Sequence, residues 1–264
     1  MSLMLFLLAL FAVVALVVWL VRKERHLIAQ RDQMFSVCAR HENWSYTTNP
    51  LYKSKLRVPA SLGTRSQWDD TDFEFKFEGG PAAAHWSMRN YPARRRGDDS
   101  QQASIPTATW QSTDLGTPRT AAMILPRWQH RLETGRVVGA IENIVSAFVD
   151  VVNDTESSES RQAFFRRATE LKGTLPGFDE TFAVLAGPEA PQGWLDESLQ
   201  ETLLKWPMID QRRSRSRLFL YARLDQGGLS ISFHRPPSES WPFWQQLARL
   251  GETLAARLGP CAQR

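Results

Sequence analysis

Three carboxylates fall within one short stretch, Trp68-Asp69-Asp70-Thr71-Asp72. Hard cations such as Mg²⁺ and Ca²⁺ prefer oxygen ligands, so this is the first place where metal chemistry could arise. A calcium loop needs oxygen ligands at alternate positions and a glycine at its sharp turn. Glu74 keeps the alternation, but Phe75 follows and a strand pattern has already begun. The triplet reads as a solvated turn entering a strand. Cys38 and His41 are spaced to share one helical face, but zinc takes three or four ligands. His26, His85, His130 and His234 are scattered over separate elements. No metal and no cofactor is expected.

Nucleophilic and nucleotide chemistry also lack their frames. There is no GxSxG elbow, the turn that exposes a catalytic serine. There is no Walker A and no GxGxxG, the loops that cradle phosphate. No catalytic residue is assigned. A membrane-tethered enzyme whose site assembles only in the fold is the alternative to a binding protein.

Two arginine clusters remain. Arg94-Arg95-Arg96 is offset by Asp98-Asp99, whereas Arg212, Arg213, Arg215 and Arg217 form a cleaner cluster, four arginines with Asp210 alone beside them. A solvated loop is the plain reading of the second cluster. Beside a bilayer it becomes a candidate patch for anionic ligands, with lipid phosphate as the natural partner. The chain carries 32 Lys and Arg against 28 Asp and Glu, a net charge of +4. So mild a balance does not argue for nucleic acid, which needs the charge gathered on one face.

The elements that must position these groups begin with a run of 19 apolar residues, Leu3 to Val21. As a helix it rises about 28 Å, close to the roughly 30 Å of a bilayer core. Its 14 Leu, Phe and Val residues favour insertion by roughly 4 to 8 kcal/mol. A cleaved signal peptide would need a basic leader and a small-x-small cleavage site. Met1-Ser2 and Trp19-Leu20-Val21-Arg22 supply neither, so an uncleaved single-pass anchor over residues 1–21 is expected. Arg22, Lys23 and Arg25 follow at once, with no Lys or Arg before the run. The positive-inside rule then places the remainder in the cytoplasm, at the cell (inner) membrane. Trp19, Arg22, Lys23 and Arg25 are the expected membrane-interface residues. The bilayer is the expected partner, with another membrane protein as a second. Cys38 and Cys261 are expected as free thiols in that compartment.

Residues 22–43 read as a juxtamembrane helix ended by Asn43-Trp44. Residues 44–154 form a strand-rich half. Thr71 to Glu78 alternates Phe with charge, Gly79-Gly80 stops it, and His85 to Tyr91 is its hairpin partner. A polar loop follows over residues 92–104, then strands at Thr107–Ser112 and Thr120–Leu125, then a helix at Val137–Val152. Residues 155–264 read as a mixed α+β half, which could equally belong to one domain with the first. It comprises a helix from Ser160 to Lys172, a strand from Thr181 to Ala186, and a helix from Gly193 to Lys205. A hairpin, Leu218–Leu224 with Leu229–His234, turns at Asp225-Gln226-Gly227-Gly228. The final amphipathic helix carries Trp241, Trp244, Leu247, Leu254 and Leu258 on one stripe. Strands and helices are partly segregated, so the fold class is α+β, with a mixed, largely antiparallel sheet and packed helices behind the transmembrane helix.

The last third pairs the strand Phe182-Ala183-Val184-Leu185-Ala186 with a helix closing on Leu203-Leu204, then a hairpin and a C-terminal helix. With the N-terminal anchor, and Phe77-Glu78-Gly79 ahead of a Trp-bearing strand, this pattern resembles uncharacterised bacterial single-pass membrane-anchored proteins carrying a domain of unknown function. The resemblance covers about residues 27–258. It implies a membrane-anchored α+β domain and lends no catalytic residue. The reading is therefore a cytoplasmic binding or accessory protein held at the membrane.

Overall fold

The computed structural model describes residues 2–49, 73–80, 85–91, 107–115, 121–127, 164–206, 220–234 and 236–259; the side chains of residues 2–9 and of His234 are outside that description. The chain divides into two compact units, Met1–Tyr46 and Thr47–Arg264.

The first unit is dominated by helix α1 (Ser2–His41), forty residues without a glycine or proline. Its end is built by Asn43, whose φ of 59° lies in the left-handed region. The Trp44 N–H donates to Ala39 O at 2.8 Å and the Asn43 N–H to Arg40 O at 3.2 Å. These are the paired bonds of a Schellman stop, in which asparagine tolerates the left-handed position. The chain then folds back. Tyr46 Oη donates to Asp32 Oδ1 at 2.8 Å, and its ring meets Phe35 edge-on at 6.1 Å.

The second unit is built on an antiparallel sheet. Its strands are β1 (Ser45–Thr48), β2 (Phe75–Gly79), β3 (Trp86–Tyr91), β4 (Thr107–Ser112), β5 (Ala122–Pro126), β6 (Thr169–Leu171), β7 (Phe182–Ala186), β8 (Leu220–Asp225) and β9 (Gly228–His234). The spatial order is β1-β2-β3-β4-β9-β8-β5-β7-β6, and the unit boundary falls inside β1. The β8–β9 hairpin sits between β4 and β5, so strands from both sides of residue 154 share one sheet. Every pairing from β2 to β9 is antiparallel. The α+β class stands. Its helices in this unit are α2 (Phe178–Thr181), α3 (Glu197–Lys205) and α4 (Trp241–Leu258).

Side chains alternate across a strand, and the register carries one apolar face through the sheet. Phe77 opposes Met88, Met88 opposes Trp110, and Trp110 opposes Ile231. All four are buried. Helix α4 covers this face with Phe243, Trp244, Leu247, Leu250, Leu254 and Leu258, spaced every three or four residues and buried. The Trp244 ring lies 5.3 Å from Phe75 and 5.4 Å from Phe77. Its indole N–H donates to Ser238 O at 3.0 Å, so the buried polar atom is satisfied. Two glycines allow close approach. A Cβ on Gly251 would lie 2.2 Å from the Trp110 ring, and one on Gly228 would lie 2.0 Å from Ser112 O.

Three expectations change. Among the described residues of the expected Ser160–Lys172 helix, only 164–167 are helical, and Thr169–Leu171 is strand β6. Phe164 is drawn into a core with Met123, Leu125, Leu185 and Tyr221. The chain beyond it pairs along β7, and Arg127 grips Glu170 at 2.5 Å. Ladder bonds and this ion pair outweigh a weak helix preference. The helix expected from Gly193 starts at Glu197, because Gly193 has φ of 71° and Asp196 is the N-cap, accepting from the Leu199 N–H at 2.7 Å. Such a cap satisfies a backbone donor that the helix itself cannot. Helix α2 was not foreseen. The expected helix at Val137–Val152 and loop at 92–104 lie outside the described residues.

Candidate functional site

The site question begins with where the apolar surface lies. Among the described residues, every large apolar side chain that is exposed belongs to α1, from Leu10 to Val37. Between Leu10 and Leu20 the exposed residues are Leu10, Phe11, Val13, Val14, Leu16, Val17, Val18, Trp19 and Leu20, at 45 to 74%. Successive residues turn by about 100°, so these positions take in the whole circumference. A surface helix of a globular domain shows an apolar stripe and a polar face; this segment has no polar face.

Among the residues whose side chains are described, no helix is long and apolar enough to cross a membrane. Of the apolar run, those residues include Leu10 to Val21 alone. That portion rises about 18 Å, short of a bilayer core, whereas the 19 residues of the full run rise about 28 Å. Helix α1 contains the whole run in its backbone.

Four of the sequence-assigned residues come together at the end of the run. Arg22, Lys23 and Arg25 are exposed, as are Glu24 and His26 between and after them. Lys23 Nζ lies 5.1 Å from the centroid of the Trp19 ring. An indole beside an ammonium combines an apolar body with a charge that remains hydrated. Further along, Arg31 pairs with Asp32 at 3.1 Å. Cys38 is a free, half-buried thiol, and His41 is exposed on the last turn. Among the described residues, no group of three or more His, Cys, Asp or Glu is placed to hold a metal.

The remaining sequence candidates divide. Arg212, Arg213, Arg215 and Arg217 lie outside the described residues, as do Arg94 to Arg96, Asp69, Asp70, Asp72, His130 and Cys261. The His85 backbone N–H donates to Asp114 Oδ2 at 2.9 Å, which anchors a strand end.

The sheet unit holds polar groups that sequence reasoning missed. On the face opposite α4, the register lines up Glu78, Ser87, Gln111, Ser230 and Arg223 in one row. Lys76, Arg89, Thr109, Ser232 and Tyr221 form the next. Arg223 and Asp225 are both buried and form an ion pair. Asp225 Oδ1 also accepts from the Gly227 N–H at 2.7 Å, tying the pair to the hairpin turn. The alternation Tyr221-Arg223-Asp225 in an otherwise apolar strand was the signal available. Between sheet and α4 there is a void of about 10 Å³ bordered by Ile124, Trp194, Leu224, Leu229, Leu254 and Leu258. It has room for about one water and none for a substrate.

Among the described residues, two carboxylates are held below their usual range, both in structural roles. For Glu170, partial burial opposes ionisation, but Arg127 and then Lys172 overcome it and bring the group down to about 2. Asp196 is lowered first by the Leu199 N–H, against some desolvation, and then by Arg257. Arg257 meets the Asp196 carboxylate through Nη2 at 2.9 Å and Nε at 3.1 Å.

Comparison with known proteins found no matching family model, no matching curated protein and no matching solved structure.

Proposed function

We propose that α1 is a single-pass anchor in the inner membrane of a bacterial cell, and that the protein works there by binding, as a scaffold or accessory component. The observation that carries this is the pairing of an apolar surface around the whole circumference of α1 from Leu10 to Leu20 with an immediate collar of Arg22, Lys23 and Arg25. Lipid is the solvent in which such a surface costs nothing, and inserting the run is favourable by roughly 4 to 8 kcal/mol. The collar directs the sheet unit to the cytoplasm, where Cys38 and Cys261 stay reduced. Each basic residue adds about 1 kcal/mol of attraction to anionic headgroups, and the Lys23–Trp19 contact fits that interfacial position.

Binding is preferred to catalysis because the described groups with displaced pKa values, Glu170 and Asp196, serve an edge ion pair and a helix cap. Topology tests the orientation. A C-terminal reporter active only in the cytoplasm should be active, and one active only in the periplasm should be silent. The reverse pattern would overturn the cytoplasmic assignment. Cross-linking in native membranes, followed by identification of what co-purifies, would then name the partner.

A further inference from the structure

We infer that α1 beyond Val21 is a rigid strut, which holds the attachment point of the sheet unit about 30 Å above the membrane surface in place of a flexible tether. The inference rests on the anchor reading. Residues 22–41 continue the helix without interruption and contain neither glycine nor proline. Sharp helix kinks arise at proline, at glycine or at bulges, and this segment is α-helical at every residue. An isolated helix of such length is marginal in water, because its first turn is costly to form. Here the bilayer supplies the nucleus, since inside it every backbone group must bond within the helix. Propagation past the collar then uses residues of high helix propensity, among them Arg22, Lys23, Glu24, Leu27, Ala29 and Gln30.

The far end of the strut is fixed as well. The left-handed Asn43 and the bond from the Trp44 N–H to Ala39 O close the helix. Tyr46 reaches back fourteen residues to Asp32 at 2.8 Å, and Asp32 is itself braced by Arg31 at 3.1 Å. Phe35 and Ala39 are fully buried. Helix and strand β1 are separated by Glu42, Asn43 and Trp44 alone, and the Asn49 N–H already donates to Glu74 O at 3.0 Å. No run of glycine and serine intervenes to act as a coil. At the near end, residues 22–27 are all exposed, Ile28 is half-buried, and full burial begins at Phe35. The strut therefore leaves the collar as a bare helix. The headgroup potential decays over about 8 Å, so the top of the strut lies outside it. A tethered domain meets whatever falls within the reach of its linker, whereas a strut offers its domain to partners at one level.

The test uses the full chain in vesicles of phosphatidylcholine and phosphatidylglycerol, with Cys38→Ala and Cys261→Ala as background. A donor dye is placed at Arg25→Cys, Gln33→Cys or His41→Cys, all exposed positions, and acceptor dyes are carried on lipid headgroups. Energy transfer should fall at each step, to about half or less at residue 41, which lies about 24 Å beyond residue 25 along the helix. Equal transfer at the three positions, or a rise towards residue 41, would overturn the strut. Ala29→Pro interrupts the helix between these positions. It should raise transfer at residue 41 and leave residue 25 unchanged; no change at residue 41 would overturn the helix as what sets the level. Flotation of the same samples separates the two readings: a chain that does not float with the vesicles refutes the anchor, whereas a floating chain without the gradient refutes the strut alone.

Discussion

Helices α1 and α4 are both rich in leucine and alanine, and both carry tryptophan, but they dispose of these residues in opposite ways. In α4 the large apolar side chains recur every three or four residues and are buried against the sheet, while Arg249, Glu252 and Arg257 lie off that stripe. In α1, from Leu10 to Leu20, they occupy all sides and remain exposed. The hydrophobic effect acts on both helices, and only the apolar medium differs. For α4 it is the β-sheet; for α1, on our proposal, it is the bilayer. The contrast also explains where specificity lies. Burial of α4 depends on jigsaw contacts such as Gly251 against Trp110, whereas lipid accepts any apolar sequence of sufficient length.

The most forceful way to break the comparison is to charge α1. The double substitution Ala12→Arg and Ala15→Arg should cost about 5 to 7 kcal/mol of insertion, enough to offset most of the gain from the run. The fraction of chain in the membrane pellet should fall from nearly all to a minority, with the far-ultraviolet signature of the sheet unit retained. In α4, Trp244→Ala should cost about 3 to 5 kcal/mol of stability, read as a lower denaturant midpoint, with no change in membrane partitioning.

Subtler changes sharpen the same contrast. Gly251→Ala would ordinarily favour a helix by up to about 1 kcal/mol, but the Trp110 ring occupies the space of its Cβ. Overpacking should reverse the sign and cost about 1 to 3 kcal/mol. The smallest effect belongs to the sheet edge. The Glu170 carboxyl is lowered from 4.5 to about 2 in the folded protein, so its contribution is present above the unfolded value and is lost as pH falls from about 4.5 towards 2. Solvent screening of this partly exposed pair limits it to about 1 kcal/mol. Glu170→Gln should therefore lower stability at neutral pH, and the difference from the parent should shrink as the solution is acidified through that window.

Local signals in the chain were easiest to read. The β2–β3 and β8–β9 hairpins, the stripe of α4 and the Asn43-Trp44 stop are each set by neighbours within a few residues, through alternation, turn glycines and helical spacing. The pairing of β4 with β9 spans more than a hundred residues, and no local pattern in either strand selects the other. Thr169–Leu171 became a strand because β7 offered an edge and Arg127 a charge, both distant in sequence. The start of α3 was misplaced because Leu195 continues the leucine spacing, although Asp196 three residues before Leu199 was a readable cap. The helical placement of Arg22, Lys23 and Arg25 was legible in the absence of glycine and proline beyond Val21. The buried Arg223–Asp225 pair was not, because its burial is set by the strands that flank β8.

The central claim is that the exposed surface of α1 is solvated by lipid. Alkaline carbonate extraction of native membranes tests it most directly, because it strips peripheral proteins and leaves integral ones in the bilayer. The account predicts that the full chain stays in the pellet and that detergent is needed to release it. Release of the intact chain into the carbonate supernatant would contradict the account.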